Sequence, residues 1–266
     1  MPLELHRDLI LPPDSAVLWR YMDFAKFIDL VETQSLWFSR TDQFEDPLEG
    51  TYTDAELEYL HSPDANQTPP GMQVADIYLR GPKYMRATAY ASCWRVGEGE
   101  SMAMWDLYGK GSGIVAVKTT VDKLKLAIAE SPLRIFLGTV KYIDWRVAPW
   151  DNNSLAMCFR KDLSYEHETE VRAIIWDEGI IARNMSDAIV AARSRSDYPN
   201  SGREPFILRK EDGEHGIRAP FPPARLVREV VIGPREGRWV AGLVESVLKR
   251  YGLKINMTIS NRLMPR

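Results

Sequence analysis

Cysteine is scarce in this chain of 266 residues, which has two, Cys93 and Cys158. Each sits in an apolar segment, YASCW and LAMCF, where a reduced, packed thiol is expected, so a core and not a set of crosslinks must hold the fold. Long hydrophobic runs are missing: no window reaches the about 18 apolar residues of a membrane span, and the start, MPLELHRDLILPPDS, has no apolar run behind a basic stretch. A cytoplasmic protein without membrane contact is expected. Histidine is sparse, and His6, His61, His167 and His215 have no second His or Cys at ligand spacing; HETE (167–170) is not HExxH. No metal site is expected from them. Also absent are a Gly-x-Ser-x-Gly elbow, a P-loop and a dinucleotide fingerprint, since GKGSG (109–113) leads into a strand instead of a helix. Charge of one sign is not in excess, with 34 Lys and Arg against 37 Asp and Glu. A net charge of −3 gives no global attraction to phosphate backbones or acidic membranes, so any nucleic-acid contact must be local.

What the chain has is core: 45% hydrophobic residues, enough for one large domain. SAVLWRYM (15–22) has strand character, Asp23 is placed to cap a helix over FAKFIDLVETQ with Phe24, Phe27, Ile28 and Val31 as its buried stripe, and SLWFS (35–39) is a second strand. A short acidic helix falls in TYTDAELEYLH, a strand over TAYASCWRV (88–96), a helix start at SMAMWDLYG and a strand and amphipathic helix over GIVAVKTTVDKLKLAIAES. IFLGTVKYIDW and VRAIIWD supply further strands. REVVIGPREG begins a final unit of strand, turn, helix and strand, the helix carrying Val240, Leu243, Val244 and Val247 as its apolar face. Residues 177–216, rich in Arg, Ser, Asn and Gly, interrupt this pattern as an irregular insertion. The expected class is α+β, a single domain (1–266) with a mixed, mostly antiparallel central sheet flanked by helices.

Several stretches carry charge in a pattern that suggests chemistry. In FSRTDQFEDPLEG (38–50) the carboxylates Glu45, Asp46 and Glu49 surround a proline, and Asp46 and Pro47 are expected to shape a turn. In YEHETEVRAIIW (165–176), a strand throughout would put Glu168, Glu170 and Arg172 on one face and Thr169, Val171, Ala173 and Ile175 on the other. That face is either solvated, with Glu170 and Arg172 neutralising each other, or the lining of a cleft in which two carboxylates divide labour. Arg20, between Trp19 and Tyr21, needs a carboxylate, for which Glu168 or Glu170 would serve, or an anionic ligand. Glu49 joins this face only if its turn reaches it. IGPREG (232–237), with Arg235 and Arg238 at a helix start, is a capped turn or a weak anion site. In the insertion, Arg193, Arg195, Arg203 and Arg209 form a local contact surface for nucleic acid or an acidic protein, or a solvated loop. Asp46, Glu49, Glu168 and Glu170 would bind Mg²⁺ if the fold gathered them.

Taken in order, LWFSRTDQFEDPLEG, SCWRVGEGESMAMWDLYGKGSGIVAVKTT, VKYIDW, FRKDLSYEHETEVRAIIW and VVIGP with its following helix resemble the bacterial family known as domain of unknown function 2971, over about residues 15 to 260. Where many members have Asn before Asp-Pro this chain has Glu45, and where many read Cys-Phe-Ser it has Cys93-Trp94-Arg95. The resemblance marks Phe44, Asp46, Pro47, Glu49, Ser92, Trp94, Trp105, Tyr108, Glu168, Glu170 and Arg172 as the shared pattern, and it implies a toxin-like or sensing role in phage defence for some members. In motif order, Arg20 on the first strand, Ser92 on a central strand and Glu168-x-Glu170 on a later one resemble ADP-ribosyltransferases. That resemblance implies NAD as substrate, with the arginine on its phosphates or ribose, the serine strand behind the nicotinamide half and the last Glu on a ribose hydroxyl. The expectation is therefore an NAD- or nucleotide-handling transferase with Glu170, Glu168 and Arg20 catalytic and Ser92, Trp94, Trp105, Tyr108, Arg172 and Glu49 binding the ligand. The alternatives are a non-catalytic module that recognises a small anionic or nucleotide ligand, and a metal-dependent nuclease built on Asp46, Glu49 and Glu168.

Overall fold

A computed structural model describes residues 3–4, 9–62, 82–83, 85–108, 113–148, 155–176 and 215–262. The insertion at 177–216, with Arg193, Arg195, Arg203 and Arg209, falls almost wholly outside the described residues, as does most of GKGSG.

The strands are β1 (Leu3–Glu4), β2 (Val17–Met22), β3 (Ser35–Arg40), β4 (Ala89–Val96), β5 (Val115–Thr120), β6 (Ile135–Thr139), β7 (Lys141–Ile143), β8 (Arg160–Asp162), β9 (Glu170–Trp176), β10 (Gly216–Pro220), β11 (Glu229–Ile232) and β12 (Asn256–Ile259). The helices are α1 (Phe24–Thr33), α2 (Asp54–His61), α3 (Met102–Tyr108), α4 (Val121–Glu130), α5 (Pro223–Leu226) and α6 (Arg238–Arg250). Ten strands form one sheet, with β7 and β8 a separate parallel pair. Among the described residues only β1–β6 and β11–β12 pair in parallel within the large sheet, so it is mixed and mostly antiparallel, as the sequence predicts.

Local signals act where they stand. Asp23 caps α1 by accepting from the Lys26 N–H at 2.8 Å. Thr53 and Glu56 form a reciprocal capping box on α2. Glu236 accepts from the Gly113 and Ile114 N–H groups, both at 3.0 Å, and so pins the turn before β5 to the start of α6. The sheet buries one face under α1, α4 and α6: Leu18, Tyr90, Trp94, Val117, Leu137, Val171, Ala173 and Ile175 meet Phe27, Val31, Leu124, Ile128, Val240 and Val244. Leu243 departs from the predicted apolar face of α6; it is 42% exposed, while Ala241 and Leu248 are buried instead. The opposite face carries two smaller cores, one beneath α3 (Trp19, Tyr21, Trp105, Ala116) and one around Ala91, Phe136, Phe159 and Ile174.

The sheet is forked at β4. On one edge β4 pairs continuously with β9, from Ala89↔Trp176 to Arg95↔Glu170. On the other edge it pairs with β3 at Ala91 and Tyr90, and with β2 at Val96 and Arg95. Ser92, Cys93 and Trp94 lie between, where β2 and β3 part from it.

Candidate active site

β9 places two of the site's charges by the period of a strand. Glu170 and Arg172 lie two residues apart on the face opposite Val171 and Ala173, and are joined there by Cys93 of β4, which pairs with Arg172. Gly138 of β6 stands beside Arg172 on the other edge. A Cβ on Gly138 would come within 3.1 Å of Leu9 and Phe159, so a larger residue there requires these side chains to shift. The Arg172 guanidinium is fully engaged: Nε donates to Glu170 Oε1 at 2.8 Å, Nη2 to Glu170 Oε2 at 2.9 Å and to Glu49 Oε1, and Nη1 to the Cys158 carbonyl at 2.9 Å. Phe44 lies under it, its ring centroid 5.4 Å away. The Asp46-Pro47 turn thus does bring Glu49 to the Glu170 face. Asp46 shapes that turn, its Oδ1 accepting from the Leu48 N–H at 2.9 Å.

Lys161, absent from the sequence-based site, completes the cluster from β8. Its Nζ donates to Glu168 Oε2 at 2.6 Å, stands 3.7 Å from Glu49 Oε1 and lies over the Tyr165 ring at 4.4 Å. Three carboxylates, Glu49, Glu168 and Glu170, face two cations, all of them buried. Glu168 reaches this cluster by a different route from the one expected. It ends a 3-10 helix over Leu163–Glu168, Thr169 follows in the left-handed conformation, and only then does the strand begin.

The electrostatics divide the carboxylates. Burial opposes ionisation of Glu170, but Arg172 and Lys161 outweigh it and hold its carboxyl below the ordinary range. Burial dominates at Glu49, and the same two cations only partly offset it, so its carboxyl is pushed up. Burial also works against the charge of Arg172, which Glu170 and Glu49 nevertheless raise well above its usual value. The Cys93 thiol is driven well up by burial and by Glu170, so it is a neutral thiol beside the carboxylate. Tyr142 is raised by burial and by the nearby carboxylates, and remains a neutral phenol.

Arg20 and Ser92 form a second group. Arg20 Nη1 donates to Ser92 Oγ at 2.6 Å and Nη2 to the Trp37 carbonyl at 2.8 Å, with Trp94 beneath at 5.7 Å. The half-buried guanidinium therefore spans the fork, tying β2 to β4 and β3. Its partner is neither Glu168 nor Glu170, and no carboxylate among the described residues pairs with it. By strand alternation Arg20, Ser92 and Trp94 share the face of Leu18 and Tyr90, opposite that of Glu170. Cys93 and Tyr108 stand within electrostatic range of both Arg20 and Glu170, although as neutral groups they add no charge to either. Tyr108, at the end of α3, is 41% exposed. Trp105 is committed elsewhere: it is buried edge-on to Tyr21, and its Nε1 donates to Glu100 at 3.0 Å. Arg235 pairs with Asp106 at the surface. No three His, Cys, Asp or Glu side chains among the described residues are placed to hold a metal ion.

No family model matches the chain, so the resemblance to domain of unknown function 2971 gains no support there, and no curated protein matches it. Among solved structures, DarT of Thermus sp. 2.9 is similar over most of its length at 12% sequence identity. Its complex with NAD+ covers 94% of this chain and 98% of that one with a TM-score of 0.38. The complex with carba-NAD+ covers 94% and 96% with a TM-score of 0.35, and that with ADP-ribosylated ssDNA 95% and 97% with a TM-score of 0.37.

Proposed function

We propose that this chain is a transferase that handles NAD or a related nucleotide in the manner of an ADP-ribosyltransferase, with the buried cluster on β9 as its reaction centre. The observation that carries this reading is that Glu49 and Glu170 share the one buried guanidinium of Arg172, where burial pushes the Glu49 carboxyl up while Arg172 and Lys161 hold that of Glu170 down. Such a divided pair suits a reaction in which one carboxylate must stay charged and the other must take a proton. In the reaction the bond between the sugar and its nitrogen leaving group breaks, and the electron pair departs with nicotinamide. The sugar is left as an oxocarbenium-like cation that the fixed negative charge of Glu170 stabilises. An attacking hydroxyl or amine then bonds to the sugar carbon and passes its proton to Glu49, while Glu168, held by Lys161, orients the attacker. Arg20 has no carboxylate partner among the described residues, so its positive charge is not cancelled there, which suits it to the phosphates of the nucleotide.

Incubation with NAD, followed by mass spectrometry and a nicotinamide assay, tests this directly. Release of nicotinamide is expected, with a loss of roughly 100- to 1000-fold in Glu170→Gln, the scale set by removing one preorganised stabilising group. No release and no adduct from the folded wild-type protein would refute it. A recognition module is the second reading, favoured by the engagement of every cluster carboxylate with Lys161 or Arg172; it predicts nucleotide binding without product. The metal-dependent nuclease reading gains no ligand set from the described residues.

A further inference from the structure

Thr169 stands between the two carboxylates of the Glu-x-Glu pair with φ 42° and ψ 57°, a left-handed conformation that is unfavourable for any β-branched residue. Gln34, the other non-glycine residue with positive φ among those described, ends α1 in the ordinary helix-capping manner. Glycine or asparagine would occupy position 169 more easily. Thr169 is exposed, so core packing does not force it there. It is held instead by β4: its Oγ1 donates to the Val96 carbonyl at 2.9 Å, and the Val96 N–H donates to its own carbonyl at 2.8 Å. The next residue is clamped as well, the Glu170 N–H donating to the Tyr142 hydroxyl at 2.8 Å and its carbonyl accepting from the Val140 N–H at 2.9 Å.

We propose that Thr169 is a positioning residue: its side chain locks a left-handed kink that turns Glu168 to Lys161 and Glu170 to Arg172, an arrangement an uninterrupted strand would not give. This rests on the transfer reading above. In an uninterrupted strand the two side chains would project in parallel about 7 Å apart, and both would compete for the same guanidinium. The kink separates them, so that within the Glu-x-Glu pair Glu168 serves Lys161 and Glu170 serves Arg172. A bond from a hydroxyl to the backbone of β4 makes that separation rigid where glycine would leave it soft. Strain retained between two site residues has a reason when the geometry it fixes is used.

The test compares Thr169→Gly with Thr169→Ser, which keeps the hydroxyl. The glycine variant should fold, with a melting temperature within about 4 °C of wild type, because relief of the left-handed strain offsets the lost hydrogen bond. ¹³C-carboxyl NMR titration should show the Glu170 midpoint moving up toward the ordinary carboxylate range in Thr169→Gly and staying at the wild-type value in Thr169→Ser. With NAD, kcat for nicotinamide release should fall about tenfold or more in the glycine variant with KM little changed, and the serine variant should recover it. A folded glycine variant that keeps the wild-type Glu170 midpoint overturns the inference. If wild-type protein releases no nicotinamide, the transferase reading fails, and the titration alone decides the role of Thr169. Should Thr169→Gly fail to fold, Thr169→Asn, which tolerates the same backbone conformation without the threonine hydroxyl, takes its place and is judged by the same midpoint.

Discussion

Replacing Arg172 by Met removes the group that does most to neutralise Glu170 and Glu49, leaving Lys161 as the remaining cation of the cluster. Removing one partner of a buried ion pair destabilises by about 3–5 kcal/mol, because a buried charge is left without compensation. The remaining carboxylate limits that penalty by taking up a proton. Protonating a carboxylate of ordinary pKa near 4.3 requires about 3.7 kcal/mol at pH 7 and about 1 kcal/mol at pH 5, at 1.36 kcal/mol per pH unit. Glu49 still has Lys161 at 3.7 Å, so Glu170 dominates. The expected destabilisation of Arg172→Met is thus about 4 kcal/mol at pH 7, shrinking to about 1–2 kcal/mol at pH 5. The sign follows from linkage: in the variant the folded-state pKa of Glu170 lies above its unfolded value, so the penalty is full above that folded pKa and disappears as pH falls. Urea denaturation followed by tryptophan fluorescence at the two pH values measures both numbers. The double variant Arg172→Met/Glu170→Gln should regain at least half of the loss at pH 7. A destabilisation under about 1.5 kcal/mol at pH 7, or one that is constant between pH 5 and 7, would refute the view that Arg172 sustains a buried charge.

The divided carboxylates should respond oppositely to removal of their charge. Glu170, with its folded pKa lowered, contributes stability that is present above the ordinary carboxylate range and lost as pH falls through the folded pKa; Glu170→Gln should therefore be less stable than wild type at pH 7 and converge with it in acid. Glu49, with its folded pKa raised, costs stability while ionised, so Glu49→Gln should be as stable as wild type or more so at pH 7, an advantage that vanishes as pH falls through the raised pKa; a loss at pH 7 in urea denaturation would contradict this. Arg20→Met should weaken binding of ADP-ribose by about 10- to 100-fold in calorimetry, the worth of a charged hydrogen bond to phosphate, and unchanged affinity in the folded variant would remove Arg20 from the nucleotide site. Asp23→Ala should lower stability by about 1 kcal/mol through loss of the α1 cap, with no effect on nucleotide binding.

Much of this arrangement is legible in the sequence where the signal is local. Alternation in EVRAIIW places Glu170 and Arg172 on one face, and the Asp-Pro turn raises the question of Glu49, which the structure answers with a direct contact to Arg172. Lys161 was not legible, because FRKDLS looks like a solvated run of charge. Its neighbour Arg160 points elsewhere, to Glu56 at 2.8 Å, and only the separate β7–β8 pair turns Lys161 to the site. The break at Thr169 was hidden for the opposite reason. A β-branched residue that leads into the run EVRAIIW signals continuation, and what defeats that signal is a pair of hydrogen bonds to Val96, far away in the chain.

Arg20 shows how far charge reasoning alone can reach. A guanidinium in an aromatic strand needs compensation, and pairing it with a carboxylate is the simplest inference from composition. The fork in the sheet supplies a different answer, since strands that diverge leave a serine hydroxyl and a main-chain carbonyl unpaired by any ladder, and both accept from Arg20. Those acceptors satisfy its donors without cancelling its charge. A residue that closes a gap in the sheet while keeping its full positive charge can hold the fold and still attract an anion, so the structural and ligand-binding roles of Arg20 are compatible.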